Sequence, residues 1–303
     1  MSIRNWVYFG ILSLVWGTSF LWIKIAVSEV SPWVLVGFRT LFGGLSLLVI
    51  VLLDRSTSLR WRDLRPWLGV FAIVGLFNVA MPFVLISWSE KTIDTGTASI
   101  LNSTTPLFTM ILAPLFLKDD AWSLRKLVGL ILGFSGVVVL MLPGLANGLD
   151  KNLLGYGTML LGTLSYAIAS VYNRRNSVGL APKMQAFLQV WLATLMAWSF
   201  TVIVDRPIKM PVLPLTWIAL LWLGILGSGF AYILYFSLIH AIGPTRTTMV
   251  TYVLPLVAVV LGVVFLGEQV HWQDILGGVM IIGGIAVVNL NLSPFWKTDR
   301  QSA

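Results

Sequence analysis

Three polar stretches, each leading to a proline, interrupt long apolar runs. Asn102-Ser103-Thr104-Thr105 leads to Pro106, Thr251-Tyr252 leads to Pro255, and Asn78 stands four residues before Pro82. Proline carries no N–H, so in a helix each one frees the carbonyl four residues back. Those carbonyls belong to Asn102, Thr251 and Asn78. Beside side chains such as Thr105 and Tyr252 they could hydrogen-bond a small polar molecule. The same stretches also work as plain kinks, closed by neighbouring Ser, Thr or Asn side chains and by water. Trp16, Tyr166, Tyr232 and Tyr235 add rings that either pack or line a cavity, where they would offer stacking and cation–π surfaces. Arg39 supplies a fixed cation. It either forms an ion pair, with Glu29, Glu90 or Asp94 as candidate partners, or binds a carboxylate or phosphate.

The elements that hold these residues must be membrane helices. Of 303 residues, 57% are hydrophobic and 11% charged, with a mean hydropathy of +0.89; soluble domains carry about 25% charged residues. Apolar runs predict ten spans at roughly 6–27, 33–53, 66–89, 93–116, 124–142, 153–173, 184–204, 215–239, 244–266 and 272–290. The first is too long for a signal-peptide core and is expected to remain as a span. The polar-proline stretches then fall near mid-depth, where such helices are tolerated only against protein or a water-filled cavity. Ten spans put both termini on one side. That side collects Arg4; Arg55, Arg60, Arg62 and Arg65; Lys118, Arg125 and Lys126; Arg174, Arg175 and Lys183; Arg246; Lys297 and Arg300. The other side holds Lys91, Lys151, Arg206 and Lys209. An excess of this kind marks the cytoplasmic face, so both termini are expected there, on a multi-pass protein of the plasma (inner) membrane.

The two halves, 1–148 and 149–303, match at an offset of about 150 residues. Pro32 falls on Pro182, Lys24 on Arg174, Pro106 on Pro255 and Phe116-Leu117 on Phe265-Leu266. After a short slip Ser135-Gly136-Val137 falls on Gly283-Gly284-Ile285, and Trp16 has Tyr166 as its counterpart. Five spans per half is an odd number, so the second half inserts upside-down. Inverted repeats with a midplane site between them are a carrier architecture. The halves differ where Arg39 meets Gln189, which argues against a symmetric role for the cation. Gly129, Gly133 and Gly136, with Gly277, Gly278, Gly283 and Gly284, are expected to let helices approach closely.

Leu14-Val15-Trp16-Gly17-Thr18-Ser19-Phe20, followed by Lys24, Pro32 and Arg39, resembles the opening of EamA-type members of the drug/metabolite transporter superfamily. Thr105-Pro106-Leu107, Leu254-Pro255-Leu256 and Leu266-Gly267-Glu268 resemble it too, once per half and over the whole chain. The resemblance implies an all-α protein of ten transmembrane helices in two inverted five-helix repeats, moving small metabolites and often exporting them. It also implies that the fifth and tenth helices form a scaffold away from the site.

Other classes fit poorly. The chain lacks cysteine, which removes disulfides and thiolate chemistry. It has no phosphate-cradling Gly-Lys-Ser/Thr loop, and His240 and His271 fall on opposite sides, so no cofactor or metal is expected. The twelve acids all lie in loops or near span ends, so neither an enzyme site nor a mid-membrane proton-exchanging carboxylate is expected. Spread over short loops, the net charge of +8 does not suggest nucleic acid. The expected function is secondary transport, with export of metabolites such as amino acids. Broad xenobiotic efflux and a solute channel are the alternatives. The partners are a small solute and the bilayer, in a monomer or weak homodimer. Candidate solute-binding residues are Trp16, Arg39, Asn78, Asn102, Thr105, Tyr166, Tyr232, Thr251 and Tyr252, on helices kinked at Pro82, Pro106 and Pro255. Lys24 is expected to snorkel, and Glu268 to make a helix-end contact or gate an entrance.

Overall fold

A computed structural model describes residues 2–54, 61–117, 121–146, 151–176, 180–242, 247 and 249–289. Ten apolar helices follow one another: α1 Ile3–Val27, α2 Pro32–Leu53, α3 Arg62–Ser89, α4 Thr95–Phe116, α5 Leu124–Leu145, α6 Asn152–Asn176, α7 Pro182–Val204, α8 Pro214–Tyr235, α9 Val250–Leu266 and α10 Trp272–Val288. The first eight have the length and composition to cross a bilayer, and the last two are shorter. The fold is all-α, ten helices in two inverted repeats. The boundaries lie near those expected, except that α9 begins at Val250; residues 243–246 and 248, with Arg246 among them, lie outside the described set.

The helices α5 and α10 pack closely against each other. A Cβ on Gly136 would lie 2.6 Å from the Gly277 carbonyl oxygen, and one on Gly277 would lie 2.8 Å from that of Gly136. Gly129 and Gly284 meet in the same reciprocal way. Bare backbones therefore touch at two levels, which only glycine permits.

Two spans break where hydroxyls compete for the ladder. In α1 the Thr18 hydroxyl donates to the Val15 carbonyl at 2.9 Å, and Trp222 Nε1 donates to Thr18 Oγ1 at 3.0 Å. In α4 the helix stops at Asn102 and restarts at Thr105, with Pro106 in its first turn. The Thr105 hydroxyl donates to the Asn102 carbonyl at 2.9 Å. By contrast α9 runs straight through Pro255 as helix. There the Thr251 carbonyl accepts a long bond, 3.4 Å, from the Ser103 hydroxyl of α4. Neighbouring hydroxyls thus close two of the three carbonyls that proline was expected to leave open.

Candidate functional site

The helix geometry that matters most is a widened turn in α3 and another in α8. In α3 the segment Leu76–Ala80 is π-helical, and the Met81 N–H reaches back five residues to the Leu76 carbonyl. In α8 the segment Trp222–Phe230 is π-helical, and the Ala231 N–H reaches back to the Leu226 carbonyl. The two closing bonds sit 150 residues apart, at equivalent places in the repeats. Pro82 cannot be the common cause, because its counterpart in α8 is Tyr232. Both turns instead lie against a close backbone approach. A Cβ at Gly75 would sit 2.7 Å from the Gln189 carbonyl oxygen, and one at Gly224 would sit 2.9 Å from that of Arg39.

A π turn displaces carbonyls from the α ladder, and such turns concentrate at functional sites. Here they are taken up across the repeat boundary. The Phe77 carbonyl accepts from the Ser165 hydroxyl of α6 at 2.7 Å, and the equivalent Gly227 carbonyl accepts from Trp16 Nε1 of α1 at 3.1 Å. One residue further on, Asn78 Nδ2 donates to Gln189 Oε1 at 2.9 Å, and its counterpart Ser228 Oγ accepts from Arg39 Nε at 3.1 Å. Arg39 and Gln189 therefore do share a place. Each binds the π turn of the opposite repeat, and only one carries charge.

Arg39 is 5% exposed. Its guanidinium carbon lies 3.7 Å from the centroid of the Phe83 ring. The expected ion pair with Glu29, Glu90 or Asp94 does not form; among the described residues the one salt bridge joins Lys183 to Asp54. Glu29 is engaged elsewhere, accepting the Val212 and Leu213 N–H groups ahead of α8 at 2.6 and 2.9 Å. Tyr166 and Tyr232 lie within electrostatic reach of Arg39. Trp16 meets Tyr232 edge-on with centroids 6.4 Å apart and Tyr235 with centroids 5.4 Å apart. The structure thus brings Trp16, Arg39, Tyr166 and Tyr232 together, with Asn78 on the mirrored side.

Asn102, Thr105, Thr251 and Tyr252 form a second group where α4 and α9 meet through the Ser103–Thr251 bond. Asn102 Oδ1 is buried without a hydrogen-bond partner among the described residues. Tyr252 and Tyr166 are half-buried and pack against the main core.

One end of the bundle is bolted by a residue of the second repeat. Asp94 precedes α4 at the capping position, but its side chain makes no capping bond. Glu268 does so instead, accepting from the Thr95 N–H at 2.9 Å, the Thr95 hydroxyl at 2.6 Å and the Gly96 N–H at 3.4 Å. Asp274 accepts from the Thr97 hydroxyl at 2.8 Å. Gly267 places Glu268 by ending α9 in the left-handed region, at φ 68°. An open vestibule of about 520 Å³ lies here, lined by Lys24, Asp94, Glu268, Gln269 and His271 among others. Lys24 does not snorkel freely; its Nζ donates to the Ile93 carbonyl at 2.8 Å. Burial first, then the charge of Glu268, pushes the Asp94 carboxyl up from its ordinary value.

The model of the EamA-like transporter family matches this chain twice, over residues 4–142 and 153–290. The chain belongs to that family. An uncharacterized transporter of Archaeoglobus fulgidus is 25% identical over 285 residues, covering 94% of this chain and 98% of its own length. The uncharacterized inner membrane transporter YedA of Escherichia coli K12 is 29% identical over 282 residues, covering 92% of this chain and 88% of its own. Protein PagO of Salmonella typhimurium is 24% identical over 280 residues, covering 92% of this chain and 90% of its own. A protein of known crystal structure shares the fold, with a TM-score of 0.65 over 95% of this chain and 97% of its own at 19% identity. This EamA-like chain is therefore a multi-pass membrane transporter.

From the sequence, Ser228 and Phe83 have no assigned role, Gln189 is only a departure from Arg39, and Glu90 is only a candidate ion-pair partner. Ser228 and Gln189 were findable from the repeat offset applied to Asn78 and Arg39, once those two were suspected. Phe83 had no polar signal. Glu90 is expected at a span end, as are the other acids, yet it is completely buried.

Proposed function

We propose that this chain is a secondary carrier of the inner membrane that exports a small organic metabolite bearing a carboxylate, such as an amino acid, by alternating access. One observation carries the reading: Arg39 is a buried cation on an aromatic wall, with no ion pair to a carboxylate among the described residues. Holding a bare charge out of water is costly, and a solute anion would offset that cost when it binds. The solute sits between α3, α4, α8 and α9, its carboxylate toward Arg39 and its apolar part against Trp16, Tyr166 and Tyr232. Asn78, Asn102, Thr105, Thr251 and Tyr252 provide polar contacts. The repeats, 1–148 and 149–303, rock around it, with both termini in the cytoplasm and α1, α2, α6 and α7 moving. The description of YedA as an inner membrane transporter supports the location.

Counterflow tests it. Purified protein in liposomes is preloaded with pooled unlabelled metabolites and offered labelled ones. Saturable, transient overshoot with carboxylate-bearing solutes is expected, and linear equilibration without overshoot would replace the carrier by a channel. The Trp16–Tyr235 ring contact favours a second reading, broad efflux of amphipathic compounds. It predicts overshoot for solutes lacking a carboxylate.

A further inference from the structure

At the end of α3, Glu90 is 0% exposed, and neither carboxylate oxygen has a hydrogen-bond partner among the described residues. Beside it the hydroxyls of Ser87 and Ser89 are also buried without partners there. It is not an isolated misfit in the core. Seven residues back along the chain lies Phe83, which stacks on Arg39. Residues seven apart share a helix face about 10 Å apart at 1.5 Å per residue. On the other side the loop continues to Asp94 and to Thr95 and Gly96, the groups held by Glu268. Glu90 therefore stands between the central cation and the bolted mouth.

We propose that Glu90 is a proton-binding site whose occupancy is tied to closure of the mouth held by Glu268. Three charged groups act on it through their electrostatic field, Lys24 from α1, Arg39 from α2 and Glu268 from the α9–α10 connection, and Asp94 follows on its own loop. None of the cations forms an ion pair with it; Lys24 Nζ is turned to the Ile93 carbonyl. Burial pushes the Glu90 carboxyl well above the usual carboxylate range; Lys24 pulls it back, Glu268 raises it further and Arg39 lowers it. A buried carboxylate with no hydrogen bonds is disfavoured as an anion and takes a proton instead. When the mouth opens, water reaches Glu90, the group returns toward its ordinary value and the proton leaves. The closed form thus binds more protons than the open one, so closure is favoured as pH falls and opening as pH rises. The pH of the compartment that this mouth faces would then bias whether the mouth is shut, without a carboxylate at the central site.

The inference rests on reading the Glu268 end as a mouth of the transport path, but its test needs no solute, so a failed counterflow screen would leave it standing. Infrared difference spectroscopy on protein in lipid nanodiscs should show a protonated carboxylic C=O band near neutral pH, absent in Glu90→Gln and kept in Asp94→Asn. Hydrogen exchange of the 93–98 amides, normalised for intrinsic rates, should accelerate several-fold as pH rises through that titration in wild type and stay flat in Glu90→Gln. If Glu90→Gln fails to fold, Lys24→Met serves, and its band should persist to higher pH. Absence of the band, an unmoved band in Lys24→Met, or equal pH response of exchange in Glu90→Gln overturns the proposal.

Discussion

Arg39 and Gln189 occupy equivalent places, and this makes the cation separable from its structural bond. Arg39→Gln copies the residue that the other repeat uses, so the new amide can bond Ser228 in place of the guanidinium, as Gln189 already bonds Asn78. Folded yield should hold, while affinity for a carboxylate solute falls by roughly 10- to 100-fold, from loss of a charge-assisted bond of about 1.5–3 kcal/mol. Binding isotherms on purified protein check this, and unchanged affinity would return Arg39 to a packing role. Asn102 offers a complementary test. Its Oδ1 is buried without a partner among the described residues, so Asn102→Ala removes a group that contributes little to the resting fold. The melting temperature should stay within a few degrees while solute affinity weakens several-fold; Tyr252→Ala should weaken affinity likewise.

At the scale of elements, α5 and α10 pack backbone to backbone while α3 and α8 each carry a widened turn. Gly136→Val drives a side chain into the Gly277 carbonyl and into Met280, whose Cβ already lies within 2.9 Å of the added carbon. Overpacking of this sort costs about 1–3 kcal/mol. Thermal stability should drop with solute affinity of the surviving folded protein unchanged, as measured by melting and binding on the same preparation. The left-handed turn at Gly267 is sensitive for another reason. Any side chain there carries a left-handed penalty of about 1–2 kcal/mol, and a shifted turn pulls Glu268 off Thr95 and Gly96. Gly267→Ala should therefore speed hydrogen exchange of the 93–98 amides at every pH, and exchange at the wild-type rate would count against the bolt.

For the whole molecule, topology is open to a direct experiment, because the chain has no cysteine to mask an introduced one. If the termini are cytoplasmic, as proposed, the bolted mouth faces outward. A single cysteine at Gln269, exposed beside the vestibule, should react with an impermeant maleimide in intact cells. One at Ala121, exposed on the opposite face, should react only after the cells are opened. The reverse pattern would invert the molecule, and with it the compartment whose pH acts on Glu90.

Composition and run length alone determined that this is a membrane protein of ten helices, because the bilayer sets how long an apolar segment must be. The internal offset paired Arg39 with Gln189, Trp16 with Tyr166 and the glycine-rich spans with each other, since an inverted repeat writes its symmetry into the sequence. Proline spacing marks Pro82, Pro106 and Pro255 alike, whereas in the structure α4 is interrupted just before Pro106, α9 is helical through Pro255, and the widened turn beside Pro82 recurs in α8 without proline. Those outcomes depend on which backbone lies alongside, and a single helix does not encode its neighbour. The pairing of Arg39 with Ser228 instead of an acid, the reach of Glu268 to the start of α4 and the sealing of Glu90 from water were likewise settled by packing between repeats. A carboxylate at a span end is ordinarily wet. Only the tertiary structure, by packing α6, α2 and α1 against this end of α3, made this one dry.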